Sequence, residues 1–262
     1  MDLELDRAHS ARMYDYYLGG NTNFPADREA VGRVLAAFPQ ALIAARANRG
    51  FMRRATRYLA GRGLRQFLDI GTGIPTSPNV HEIAQGIAPE SRIAYVDNDP
   101  IVLTHARALM SSTTEGSTCY IDADLRDIDS IIGAPRLREV LDLKQPVALS
   151  LIAIVHFILD EDDPQGIVRR IMDELAPGSF LALTVFTGDT DPVGVGGVGR
   201  EYNARGIPLQ IRDRAESLAF FDGYDLLDPG VTLVHHWRPE QDAPQIRDQD
   251  IAMYGGVAVK RG

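Results

Sequence analysis

Glycines and carboxylates at the ends of apolar segments are the residues of this sequence best suited to hold a ligand. Asp69-Ile70-Gly71-Thr72-Gly73-Ile74-Pro75-Thr76 continues from the apolar stretch beginning at Gln66. Gly71 and Gly73 permit a tight turn and a close backbone approach to a ligand. A G-x-G turn alone says little, because ordinary turns share it. Asp97 closes the next apolar segment, where a carboxylate can accept from both hydroxyls of a ribose. Asp97 would also fit the opening of the helix that follows, but Asp99, just before Pro100, suits that role better. Asp122-Ala123-Asp124-Leu125 ends the third segment. A carboxylate here can accept from an adenine amine. Asp124 is preferred because apolar Leu125 follows it and can pack on the ring; Asp122 is the alternative. Acceptors at successive strand ends outline a site for an adenosine-bearing ligand.

A dinucleotide makes further demands. It wants a third glycine and a helix N-terminus aimed at its pyrophosphate. Pro75 stands at the third-glycine position and Pro78 follows, so the helix start is pushed back. An adenosine ligand without phosphate needs no such cradle. An NAD-dependent oxidoreductase is therefore the less favoured reading.

The elements that must position these residues alternate. Residues 66–70 read as a buried strand, with a helix beginning near Asn79. Residues 92–97 form the second strand, and Pro100 opens a helix with Val102, Ala106, Leu109 and Met110 inward. Residues 118–121 and 146–152 follow as strands, the latter apolar on both faces as a central parallel strand should be. Asp163 caps and Pro164 starts a helix whose core face is Ile167, Val168, Ile171, Met172 and Leu175. Residues 179–186 make a fifth strand. The alternation predicts an α/β fold, a parallel sheet covered by helices on both sides. Residues 187–206, rich in Gly and Asp, read as a mobile connection with room for one helix, and 212–221 as helical. Two strand-like segments, 224–234 and 251–259, close the chain around an acidic loop over 238–250.

Ahead of this domain (65–262) lies an N-terminal helical extension, residues 1–64. It is aromatic at Tyr14, Tyr16 and Tyr17 and breaks at Gly19-Gly20-Asn21. Leu42, Ala45, Met52, Ala55 and Leu59 then recur at helical spacing. Arg46, Arg49, Arg53 and Arg57 line another face, read as a solvated basic face. The extension is expected to pack on the core as a lid, within one structural domain overall.

Composition narrows the class. The chain has 262 residues, 45% hydrophobic and 24% charged, enough for one large domain. Its net charge of −9 argues against general nucleic-acid binding, which rests on clustered Lys and Arg. No apolar run is long enough to span a membrane. The acidic start, Met1 to Asp6, lacks the regions of a signal peptide. One cysteine, Cys119, allows no internal disulfide, and a reducing cytoplasm is the expected compartment.

The sequence resembles a class I S-adenosylmethionine (SAM) methyltransferase over residues 65–262. Over nearly the whole chain it is similar to a bacterial SAM methyltransferase family long catalogued as a domain of unknown function. The segments that carry this are Ala11-Arg12-Met13-Tyr14-Asp15-Tyr16-Tyr17-Leu18-Gly19-Gly20 with Asn23-Phe24, Asn48-Arg49, and the glycine loop through Thr76. Val96 to Pro100, Asp124-Leu125-Arg126-Asp127, His156-Phe157-Ile158, Phe221-Asp222-Gly223 and Pro229-Gly230 complete it. The resemblance implies a Rossmann-like, seven-stranded, mostly parallel sheet with an antiparallel terminal pair. It implies SAM binding by Gly71, Gly73, Asp97 and Asp124, with Asp69, Asn98 and Leu125 beside them. Pro75 stands where class I enzymes more often carry glycine, a departure typical of the narrower family.

Methyl transfer is an in-line displacement on a sulfonium carbon with a neutral leaving group, so alignment and desolvation can supply most of the catalysis. The acceptor should sit past the fourth strand, near Ala153 to Asp160. That stretch lacks the Asn/Asp-Pro-Pro-aromatic motif of nucleic-acid amino methyltransferases, which counts against base methylation. A small-molecule acceptor is expected. His156 is either a general base or a hydrogen-bonded, half-buried histidine. Tyr14 and Tyr17 belong either to a lid over the sulfonium or to a packed aromatic N-terminus. Arg49 is a candidate partner for the methionine carboxylate or an acidic substrate. His235-His236-Trp237 invites a metal reading, but neighbours on a strand point opposite ways and no carboxylate sits at ligand spacing, so no metal is expected. A non-catalytic SAM-binding regulator remains the alternative to an enzyme.

Overall fold

The computed structural model describes residues 5–109 and 112–262, the side chains of 106–109 excepted. The expected inward positions of Ala106, Leu109 and Met110, and the reading of Met1 to Glu4, lie outside the described residues; Val102 is buried. The chain opens with helices α1 (Ser10–Tyr17), α2 (Pro25–Ala37) and α3 (Ala41–Gly61). Alternation follows: β1 (Gln66–Ile70), α4 (Val80–Ile87), β2 (Arg92–Asp97), α5 (Pro100–Leu109), β3 (Ser117–Asp122), α6 (Ile128–Gly133), α7 (Pro135–Val140), β4 (Ala148–Leu151), α8 (Pro164–Asp173) and β5 (Phe180–Phe186). The chain closes with α9 (Pro192–Asn203), α10 (Arg214–Ala219), β6 (Asp225–Leu226), β7 (Thr232–Leu233) and β8 (Met253–Val259).

Strands β1 to β5 pair in parallel, and β8 lies antiparallel to β5. Spatial order is β3-β2-β1-β4-β5-β8-β6, with β7 also pairing to β8. The order reverses at β1, whose neighbours are β2 and β4, so a crevice opens past its carboxyl end. Strand β1 is buried throughout, as expected of a strand covered by helices on both faces. The predicted caps hold. Asp163 accepts from Gly166 N at 3.0 Å, and Ile167, Val168, Ile171, Met172 and Leu175 are all buried.

Among the described residues the sheet has eight strands, not the seven expected. The single segment expected over 224–234 is split by Asp228-Pro229-Gly230, where Gly230 N turns back to Leu227 O at 2.8 Å. Proline offers no N–H to the ladder, so pairing to β8 stops and resumes. Residues 187–206 hold the one helix that the sequence left room for. This is α9, which packs against α2. A Cβ on Gly197 would lie 2.6 Å from that of Ala37, so the glycine allows the helices to meet. Arg212 is not helical, since α10 begins at Arg214. It is buried, giving its guanidinium to Val155 O, Ile158 O and Asp160. His235 and His236 sit in a short 3-10 helix, Val234–His236, and not on a strand.

Helix α3 belongs to two cores. Phe51, Met52, Ala55 and Leu59 join the sheet's core. Ala41, Ala44 and Ala45 join Met13, Val31, Phe38 and Val198 in a second one. Its basic face is only partly solvated. Arg46, Arg53 and Arg57 are exposed, whereas Arg54 donates to Trp237 O at 2.9 Å and Val234 O at 2.7 Å.

Candidate active site

A cavity of about 370 Å³ lies past the carboxyl ends of β1, β2 and β4. Asp69, Gly71, Gly73, Asp97, Asn98, Asp124 and Leu125 line it. So do Tyr14, Tyr17, Arg49 and His156. Asp122, the alternative to Asp124, is exposed and does not line it.

The glycine loop is tied directly to Asp97. Gly73 N donates to Asp97 Oδ2 at 2.8 Å, and Asp99 N to Oδ1 at 2.9 Å. Each oxygen keeps a lone pair for a further donor. Burial raises the Asp97 pKa against these two hydrogen bonds. Asp99 takes the helix-opening role, accepting from Ile101 N at 2.8 Å, and meets His9 Nδ1 at 3.0 Å. Asn98 Nδ2 donates to Asp124 Oδ2 at 2.9 Å, joining the loops after β2 and β3. Gly71 has φ +75° and lies beneath Ile154.

At the other flank of the loop sit Asp69, Arg49 and Asn48. Burial pushes Asp69 up to about 6, against a hydrogen bond from Ser150 and the charge of Arg49. Arg49 clamps the loop, donating to Thr76 O and, at 3.0 Å, to Pro78 O. It is therefore not part of a solvated face. Its buried Nε has no protein partner, nor does the buried Asn48 Oδ1. Asn48 Nδ2 donates to the Tyr14 hydroxyl at 2.9 Å, and that hydroxyl donates to Ala45 O at 3.2 Å. An acceptor, a carboxylate and a spare guanidinium N–H suit a group carrying both an ammonium and a carboxylate.

The flank toward β4 and β5 is apolar. Tyr17, Phe38, Phe157, Val198, Tyr202 and Leu209 line it, and the Tyr17 and Tyr202 hydroxyls lie 3.3 Å apart. His156 is buried against Phe157, ring centroids 4.4 Å apart. Burial and the charge of Arg212 lower it to about 3, and its Nδ1 has no protein partner.

The family model for S-adenosyl methyltransferase matches residues 1–261. The chain belongs to that family. It is a SAM-dependent methyltransferase, and SAM is its methyl donor. A DUF574 family protein from Streptomyces avermitilis MA-4680 is 54% identical, with a TM-score of 0.97 over 99% of this chain and 100% of that one. A candidate methyltransferase from Thermobifida fusca YX is 32% identical, with a TM-score of 0.90 over 99% and 97%. The plantazolicin methyltransferase BamL, solved with a triazolic desmethyl analogue and S-adenosylhomocysteine, shares the fold at 11% identity and a TM-score of 0.52, over 96% of each chain. No curated protein matches.

Other residues lining the methyltransferase's cavity were not singled out from sequence. Asn48 stood in a family segment, but its orphaned carbonyl shows only in the fold. Ile154 and Tyr202 carried no motif. Tyr202 is placed by α9, whose glycines masked it as helix.

Proposed function

We propose that this methyltransferase methylates a small molecule whose nucleophilic atom is already ionised or otherwise holds a free lone pair. The carrying observation is the apolar flank. Its walls are the buried side chains of Tyr17, Phe38, Val198, Tyr202 and Leu209, an apolar surface that suits a compact acceptor. The crystal structure of BamL with its analogue is compatible with an acceptor of this kind.

The geometry supports the following residue roles. Asp97 accepts from the ribose hydroxyls and Asp124 from the adenine amine, with Leu125 against the ring. Asn98 holds Asp124 in position. Asp69 and Asn48 face the ammonium of the methionine end, and Arg49 Nε its carboxylate. Gly71 and Gly73 give the backbone access. When bound, SAM supplies a methyl on a positively charged sulfur that departs as a neutral thioether. Residues 1–64 serve as a lid, in which Tyr14 and Tyr17 present rings toward the sulfonium and help exclude water. Among the described residues no helix is long and apolar enough to cross a membrane. A cytoplasmic setting belongs with this reading, supported by the single, buried Cys119.

His156 is neither a strong base nor the half-buried, hydrogen-bonded histidine expected: it is buried and its Nδ1 has no protein partner. A histidine held near 3 is neutral at working pH but too weak a base to draw a proton in the transition state. His156→Gln should retain turnover within an order of magnitude, where loss of a true base costs about 10²–10⁴. Steady-state formation of S-adenosylhomocysteine reads this; a drop beyond a hundredfold would restore the base.

SAM affinity should depend on pH through Asp69. A carboxyl raised to about 6 is half protonated near that pH. The ammonium of SAM favours the carboxylate, so affinity is full above this value. Below it, affinity falls about tenfold per unit. Calorimetric titration from pH 5 to 8 measures it, and Asp69→Asn should flatten the profile. A flat wild-type profile would remove Asp69 from the site.

The function itself is tested with methyl-labelled SAM offered to metabolite, protein and nucleic-acid fractions. Label is expected in the metabolite fraction. Label only in protein or nucleic acid would overturn the acceptor class.

A further inference from the structure

Outside the cofactor cavity, adjacent histidines converge on one carboxylate. On a strand they would diverge. In the 3-10 helix Val234–His236 successive side chains turn by about 120°, and the two rings lie 3.8 Å apart, tilted by 36°. Both reach Asp248, which sits in another 3-10 helix, Asp248–Asp250, immediately before the run into β8. His235 Nε2 is 3.1 Å and His236 Nε2 2.7 Å from Asp248 Oδ1. The three atoms all lie within 4.8 Å of one another. The expectation of no metal therefore rested on premises the fold does not meet: the segment is not a strand, and the carboxylate arrives from 12 and 13 residues away.

We infer that His235, His236 and Asp248 form a binding site for a divalent ion of the zinc class. Zinc takes imidazole nitrogen and carboxylate oxygen at about 2.0–2.2 Å, which spaces tetrahedral ligand atoms by roughly 3.3 Å. The two histidine–aspartate distances need to open by about 0.2 and 0.6 Å to reach that spacing. The chemistry of the cluster also fits. Imidazole nitrogens and a carboxylate oxygen are the ligand types zinc takes. Neutral imidazole and carboxylate are the ligating forms. Nitrogen donors favour zinc, nickel or cobalt over magnesium or calcium. Arg54 lies near His235 and weakens the site for any cation, but its guanidinium is committed to Val234 O and Trp237 O. With three protein ligands, one position is left for water.

The role this supports is a staple. The loop between the ligands is acidic and is fastened by Arg57 to Glu240 and by Arg238 over the Tyr58 ring. An ion would close that loop and fix the approach to β8, whose first residue, Met253, lines the cavity.

The test uses untagged full-length protein, stripped with a chelator and titrated with zinc chloride. Saturable uptake of one ion per chain is expected, with the thermal midpoint rising by roughly 5 °C at a hundredfold excess over Kd. His236→Ala and Asp248→Asn should each abolish uptake and the thermal shift while leaving SAM binding intact. Asp248 is exposed, so its variant keeps the test valid if the histidine variant folds poorly. Magnesium should give no shift. No saturable zinc uptake by the wild type, or undiminished uptake by Asp248→Asn, would overturn the inference.

Discussion

Asp97→Ala should weaken SAM and S-adenosylhomocysteine binding by at least about a hundredfold. Two hydrogen bonds from ribose to an ionised group are worth about 1.5–3 kcal/mol each, and losing them together exceeds the roughly 2.8 kcal/mol of that factor. A second effect adds to the first. The same carboxylate holds Gly73 N at 2.8 Å and Asp99 N at 2.9 Å, so its removal also frees the glycine loop. Asp124→Ala should cost less, because that side chain is about a third exposed at 32% and water can replace its contacts. Calorimetry on both variants measures the contrast. Unchanged affinity in Asp97→Ala would refute the placement of the ribose.

Gly71→Ala should cost both stability and cofactor binding, and far more than Gly73→Ala. A Cβ at Gly71 would stand 2.7 Å from Ile154 Cγ1 and 2.9 Å from its Cβ, closer than real contacts allow. It would also force a side chain onto φ +75°. Strain of about 1–3 kcal/mol and overpacking of about 1–3 kcal/mol combine. Gly73 has φ +66° but open space around its Cβ position, so only the strain applies. Denaturant unfolding and SAM titration on the two variants give the comparison. Adding Ile154→Ala to Gly71→Ala removes the Cγ1 and Cδ1 overlaps but keeps the one with Cβ at 2.9 Å, so it should recover part of the overpacking and leave the strain. No recovery would mean that the overlap is not what the glycine avoids.

Much of this was legible in the chain. Buried parallel strands write themselves as continuous apolar runs, so β1 to β5 and the carboxylates that close β2 and follow β3 could be read in order. Helix signals were equally local, as Asp163 and Pro164 show at the start of α8. Features that depend on what packs against a segment were not legible. The glycines of α9 looked like a loose connection because their purpose is the approach of α2. His235 and His236 looked divergent because a strand was assumed where the chain coils. His156 could be read either as a base or as a structural histidine because burial, which leaves it neutral and weak, has no sequence signature.

By itself the sequence determined the parallel sheet, the place of the glycine loop and the carboxylates at the strand ends beside it, since each depends on neighbours within a few residues. Only the tertiary structure decided which groups share a space. It set Arg49, Asn48 and Asp69 together at one flank, lined the other with residues from α1, α2 and α9, and brought Asp248 to the histidines. These meetings join segments far apart in the chain, and the packing of helices and sheet that creates them leaves no spacing to read.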